Sequence, residues 1–217
     1  MSDIKLYDAI VVVTPKDFKR VESNNKRIVE YLPVRKVLFV GSKELGELVE
    51  QSSFGDKAGF VDENDIIPFD DVYNCLKDVM ADILLGRELP RGLVGWYYQQ
   101  FLKLQYARMC KDEYYMSWDG DTVPCKNFSM FSDDGRPYFD LKHEFHQEYF
   151  ITMNKLLPNL DKTIDKSFIS EHMIFNCKYL VKMLEDIESN ENIEGVTFWE
   201  KILHSIRLEH IQENSFS

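Results

Sequence analysis

Two aspartates one residue apart, Asp119 and Asp121, follow directly on the apolar and aromatic run Tyr114 to Trp118. Carboxylate oxygens are hard ligands, and a turn at the end of a sheet strand can aim both of them at one small divalent cation. Gly120 between them is expected to relieve the backbone of that turn, and Thr122-Val-Pro124 stops the strand. A magnesium or manganese ion held this way keeps open positions for phosphate oxygens and neutralises charge on a departing diphosphate. Alone, an Asp-x-Asp triplet is a weak signal, since an aspartate-rich chain supplies roughly one or two by chance. Its place at the end of an apolar strand, bordered by Trp118 and Pro124, sets this one apart.

Other residues fit the same chemistry. Gln99 and Lys103 are four apart in a stretch with helical periodicity, Leu93 to Cys110, and so share a face. A cation and an amide there suit a diphosphate, or the ordering of Asp119. Arg91, in the loop before that helix, is a second phosphate candidate. Farther on, Ser170-Glu171-His172-Met173 offers a proton acceptor, which an inverting transfer to a hydroxyl requires. Glu171 is the first choice and His172 the second; the competing reading is a helix start or a surface ion pair. Trp96, Tyr97 and Tyr98 could stack on a sugar or base, but aromatic residues in such a helix are more often core, which is the expectation here. His143, Glu144 and His146 do not have the His-Glu-x-x-His spacing of a zinc protease.

These groups need a scaffold. Ala9 to Val13 is a β-branched strand ending in Thr14-Pro15-Lys16-Asp17, where Thr14 can cap a helix, Pro15 suits its first position and Asp17 completes a capping box. Lys36 to Val40 repeats the pattern, with Gly41-Ser42 before the amphipathic stretch Lys43 to Gln51. Gly59 to Val61 gives a third strand followed by a polar loop, Asp62 to Asp65, in which Asp65 is a candidate for base or ribose. Helices are expected over Asp70 to Leu85, Leu93 to Cys110, Glu144 to Leu156, Cys177 to Glu188 and Thr197 to His210. Short strands are expected at Phe128 to Phe131 and Pro137 to Leu141. Strands alternating with helices imply an α/β fold, a mostly parallel mixed sheet covered on both faces. Ligands settle outside the carboxyl ends of such strands, here Thr14, Gly41 and Asp62 to Asp65.

The order Val11-Val-Val-Thr-Pro15, Gly95-Trp-Tyr-Tyr-Gln-Gln-Phe-Leu-Lys-Leu104, Trp118-Asp-Gly-Asp-Thr-Val-Pro124 and Ser167-Phe-Ile-Ser-Glu-His-Met-Ile-Phe175 resembles GT-A glycosyltransferases. The likeness is to polysaccharide glycosyltransferases of bacteria and large DNA viruses, the chlorella viruses among them, and spans residue 8 to about residue 210. It implies a Rossmann-like nucleotide half (about 1–121) and an acceptor half (about 122–217) in one domain, 1–217. It also implies a divalent metal, usually manganese, a donor that is commonly a uridine diphosphate sugar, and a glycan acceptor. Thr14 and Pro15 match the family's place for the nucleoside and Trp118 to Asp121 match its metal motif; His210 could supply a third metal ligand, as carboxyl-terminal residues do in several relatives, with a solvated helix end beside Glu209 and Glu213 as the other reading.

Composition narrows the classes. With 217 residues, 44% of them hydrophobic, the chain can bury a full core as one domain. A formal charge of -11 opposes general attraction to nucleic acid. It also repels a diphosphate, so such a site needs local cations or a metal. Cys75, Cys110, Cys125 and Cys177 show no metal or disulfide spacing and read as reduced thiols of a cytoplasmic protein, host cytoplasm if viral. No apolar run reaches membrane-spanning length. The polar end, Gln212 to Ser217, is compatible with a natural end or with the cut edge of a longer polypeptide. Nucleotidyl transfer is a competing class, but Thr14-Pro-Lys-Asp-Phe-Lys is not a glycine-rich phosphate loop. A non-catalytic nucleotide-sugar-binding module is the other.

Overall fold

The computed structural model describes residues 5–144 and 146–206. The first half alternates strand and helix: β1 (Ala9–Val12), α1 (Pro15–Arg20), α2 (Glu22–Tyr31), β2 (Val37–Gly41), α3 (Lys43–Gln51), β3 (Ala58–Asp62), α4 (Glu63–Ile66), α5 (Phe69–Val79), α6 (Ala81–Leu84), α7 (Arg91–Gln105) and β4 (Tyr114–Trp118). The second half contributes α8 (Gln147–Leu156), β5 (His172–Asn176), α9 (Cys177–Glu188) and α10 (Phe198–His204). The five strands form one sheet in the order β3-β2-β1-β4-β5. The first four are mutually parallel, and β5 runs antiparallel to β4 with Trp118 opposite His172 and Tyr114 opposite Asn176. The architecture is therefore the expected α/β one, a mostly parallel mixed sheet flanked by helices.

Strand alternation divides the core in two. Ile10, Val40 and Tyr115 point to one face and pack with residues of α5, α7, α9 and α10. Ala9, Val11, Val37, Phe39, Met116 and Trp118 point to the other, against Phe18 of α1, Ile28 of α2 and Leu45 of α3. Two local devices position the sheet's carboxyl edge. Thr14 Oγ1 accepts from the Asp17 N–H (3.1 Å) and donates to Asp17 Oδ2 (2.8 Å), so α1 starts as the sequence predicts. Gly41, at the end of β2, is so close to β1 that a Cβ would fall 2.6 Å from the Val13 carbonyl oxygen. Any side chain there would push the two strand ends apart.

Several expected elements are different. Asp62 to Asp65 is not a loop: Asp62 caps α4 by accepting from the Asn64 N–H at 2.9 Å. The helical stretch Asp70 to Leu85 breaks at Met80 into α5 and α6. The stretch Leu93 to Cys110 starts earlier and ends as a 3-10 turn, Tyr106–Arg108. The strands expected at 128–131 and 137–141 reduce to one isolated bridge, Phe131 with Pro137. Helix α8 begins at Gln147 rather than Glu144. The last helix begins behind a Thr197–Glu200 capping box and ends at His204. Strand β5 was not expected, and it decides where Glu171 and His172 lie. All four cysteines are free thiols. Among the described residues no helix is long and apolar enough to cross a membrane.

Candidate active site

Because β1 to β4 are parallel, their carboxyl ends share one edge of the sheet, and the antiparallel β5 starts at that same edge. This arrangement brings Thr14, Asp62, Asp119, Glu171 and His172 to one side of the molecule. Beyond the last ladder pair, the Asp119 N–H donates to the Glu171 carbonyl oxygen at 2.9 Å. The two sequence candidates, 52 positions apart, are thus neighbours. The Thr122 N–H donates to the Asp119 carbonyl oxygen at 3.0 Å, closing a four-residue turn over Gly120 and Asp121. Trp118 Nε1 donates to the Thr122 carbonyl oxygen at 2.9 Å and fixes the turn from below. Arg27, from α2, donates to the Pro124 carbonyl oxygen at 3.3 Å and holds the chain that leaves it.

Lys103 reaches Asp119 from α7, with Nζ 2.7 Å from Oδ1. Its side chain is only 12% exposed, against 37% for Asp119. In a chain of net charge -11, this places a shielded cation at the edge where phosphate is expected. Asp121 is exposed on the same turn. Asp119 and Asp121 can supply two hard oxygen ligands, and among the described residues no group of three His, Cys, Asp or Glu side chains gathers around a common point. Two carboxylates suit magnesium or manganese, which keep waters or phosphate oxygens in their remaining positions. His210 lies outside the described residues.

A cleft of about 960 Å³ opens beside this turn, between α7, α8, the 160–169 segment and β5. Lys103, Asp119, Glu171 and His172 line it, together with Ser117. The Glu171 carboxylate accepts from Lys142 Nζ with both oxygens at 3.0 Å. Its own backbone N–H and the Lys142 ammonium hold its carboxyl below the usual carboxylate range. It is ionised at neutral pH and can accept a proton, though as a weaker base than a free glutamate. The His172 ring stacks on Trp118 with centroids 5.0 Å apart, and its Nε2 is 3.7 Å from Asp140 Oδ2.

Other candidates lie elsewhere. Gln99 is half-buried and outside the lining; Trp96 and Gln100 face the cleft with Lys103. Tyr97 and Tyr98 are core, as expected. Arg91 is not in a loop: it is the first residue of α7, its guanidinium 5.1 Å from the centre of the Phe69 ring. Thr14 and Asp65 are exposed and Pro15 half-buried at the sheet edge, none of them in the cleft. Gly120 is not required by the backbone, since its φ is not positive and a Cβ there would make an ordinary 3.4 Å contact with Val11. Sequence reasoning missed Lys142, Arg27 and Asp140, whose partners are 29 to 97 positions away or, for Asp140, across the 32 positions to His172.

Among the solved structures similar to this chain are two of LgtC. One is galactosyltransferase LgtC in complex with donor and acceptor sugar analogs, with a TM-score of 0.47 and 13% identity, covering 91% of this chain and 69% of that one. The other is an active-site mutant of LgtC, with a TM-score of 0.43, the same identity and the same coverage. Likeness at this level says nothing about activity. No curated protein matches the sequence. The model of a family of unknown function (DUF6492) matches residues 4–214, nearly the whole chain, which therefore belongs to that family.

Proposed function

We propose that this chain is a metal-dependent glycosyltransferase, moving a hexosyl or deoxyhexosyl unit from a nucleotide diphosphate sugar, a uridine diphosphate sugar by the motif resemblance, to a glycan hydroxyl. The observation that carries the reading is the convergence at one sheet edge. The Asp119–Asp121 turn, the shielded Lys103 ammonium and the Glu171 carboxylate meet there, beside a cleft large enough for a ligand. A magnesium or manganese ion held by Asp119 and Asp121 would stabilise the charge of the departing diphosphate. Thr14 and Pro15, at the end of β1, are assigned to the nucleoside.

In the transfer, the acceptor oxygen bonds to the anomeric carbon, the bond from that carbon to the diphosphate oxygen breaks, and the nucleoside diphosphate leaves with the electron pair. The acceptor proton goes to the Glu171 carboxylate. Lys142 keeps that carboxylate ionised and fixes its direction, while Lys103 holds Asp119. The alternatives are nucleotidyl transfer and nucleotide-sugar binding without turnover. The test is release of nucleoside diphosphate from a panel of donor sugars, with and without manganese and glycan acceptors. Manganese-dependent release, raised by an acceptor, supports the reading. Binding of the nucleotide without release across the panel favours the binding module.

A further inference from the structure

Helix α7 is pinned across β4 at two points. The Tyr115 hydroxyl donates to the Lys103 carbonyl oxygen, and the Lys103 ammonium reaches Asp119 Oδ1 at 2.7 Å. Tyr115 and Ser117 share one side of the sheet and Asp119 follows two residues on, so Ser117 lies beneath the span of Lys103. Ser117 is 5% exposed and lines the cleft, yet among the described residues its hydroxyl has no hydrogen-bond partner. Its neighbours on the cleft floor, Met173 across the ladder and Phe175, are apolar, so packing alone would favour an apolar side chain there. Above it, Trp96, Gln100 and Lys103 share the face of α7 that lines the cleft. The half-buried Gln100 amide likewise has no hydrogen-bond partner among the described residues.

Buried polar groups are normally paired, so two unmatched ones beside Lys103 point to what a ligand must bring. Serine and glutamine side chains both donate and accept, and so does a ligand hydroxyl, which can therefore answer either of them. A phosphate oxygen only accepts and would leave the Gln100 side-chain carbonyl unanswered; the diphosphate belongs to the metal turn and Lys103. The sugar joined directly to that diphosphate cannot lie far from Asp119, and Ser117 precedes Asp119 by two residues. We infer that Gln100 and Ser117 read hydroxyls of the transferred sugar. This rests on the glycosyltransferase reading and makes the pair specificity residues for the donor, separate from the groups that hold metal and diphosphate.

The test separates the sugar from the nucleotide. Calorimetric titrations in manganese compare uridine diphosphate with its glucose, galactose and N-acetylglucosamine esters, on wild type, Ser117→Ala and Gln100→Leu. Each variant should weaken the tightest-binding sugar nucleotide by about two- to tenfold, the loss of one hydrogen bond, and leave uridine diphosphate unchanged. Removing an unmatched hydroxyl should also leave the melting temperature of Ser117→Ala at or above that of the wild type. Circular dichroism would verify the fold of Gln100→Leu. Equal weakening of uridine diphosphate and its sugars, no weakening of either, or a lowered melting temperature in Ser117→Ala would each overturn the inference. A wild type that binds none of these nucleotides in manganese would refute the glycosyltransferase reading beneath it, which the other outcomes leave standing.

Discussion

Replacing Lys103 by Met keeps most of the unbranched stem and removes the charged ammonium that donates to Asp119. The ammonium is 2.7 Å from Asp119 Oδ1, with 12% and 37% of the two side chains exposed. Unit charges about 4 Å apart attract by ~4 kcal/mol at an effective dielectric near 20. Desolvation of the lysine offsets part of this, and the water still reaching Asp119 screens more. A net loss of about 1–2 kcal/mol is expected, which for a domain of this size lowers the melting temperature by roughly 2–8 °C. Urea unfolding followed by tryptophan fluorescence measures it directly. Manganese should restore more stability to the variant than it adds to the wild type, because a cation at Asp119 no longer competes with the ammonium. A midpoint unchanged in the absence of metal, or equal manganese effects in both proteins, would refute the claim that Lys103 is the counter-ion of Asp119.

Other outcomes follow from single contacts. Thr197→Ala removes the hydroxyl that caps α10, and unfolding free energy should fall by about 1 kcal/mol. Burial pushes the Glu200 carboxyl up, but the N–H groups of Thr197 and Val196 and the Thr197 hydroxyl outweigh it and leave the carboxyl below its ordinary value. A depressed folded-state value stabilises above the unfolded carboxylate range, and that contribution disappears as pH falls through the folded value. The stability gap between wild type and Glu200→Gln should therefore be present at pH 7 and shrink on acidification below roughly pH 4; a gap that widens would contradict the bonding. Brief alkylation of the native protein at pH 8 should label the exposed Cys125 first. Burial, then the charge of Glu200, raise Cys75 to about 11, while burial, then the Cys110 thiol, raise Cys177. Peptide masses showing Cys75 modified as fast as Cys125 would count against this.

Much of the sheet was legible because its signals are local. The bounds of α3, β4 and α9 follow from contiguous apolar patterns and their punctuation, and the Thr14 cap from four adjacent residues. Strand β5 was not legible: five residues wedged between an irregular segment and a helix look like the helix's first turn, and only pairing with β4 makes them a strand. Of the two expectations for Lys103, a diphosphate or Asp119, the structure shows the contact with Asp119, and it puts Gln100 rather than Gln99 beside it in the cleft. Gln99 and Gln100 are both one turn from Lys103, and only the packed positions of Tyr98, Phe101 and Leu102 show that Gln100 is on the open side. The Lys142–Glu171 pair had no signal at all. Its partners are joined through the long irregular stretch after β4, where side-chain reach and not periodicity sets the contacts.

The central claim is that the Asp119–Asp121 turn holds a divalent ion that in turn holds the diphosphate. Calorimetric titration of uridine diphosphate into the wild type and Asp121→Ala, each with manganese and with chelator, tests it most directly. Binding to the wild type is expected only in manganese, with loss of that manganese-dependent binding in a variant whose circular dichroism is unchanged. Equal affinity in chelator, or undiminished manganese-dependent binding by Asp121→Ala, would contradict it.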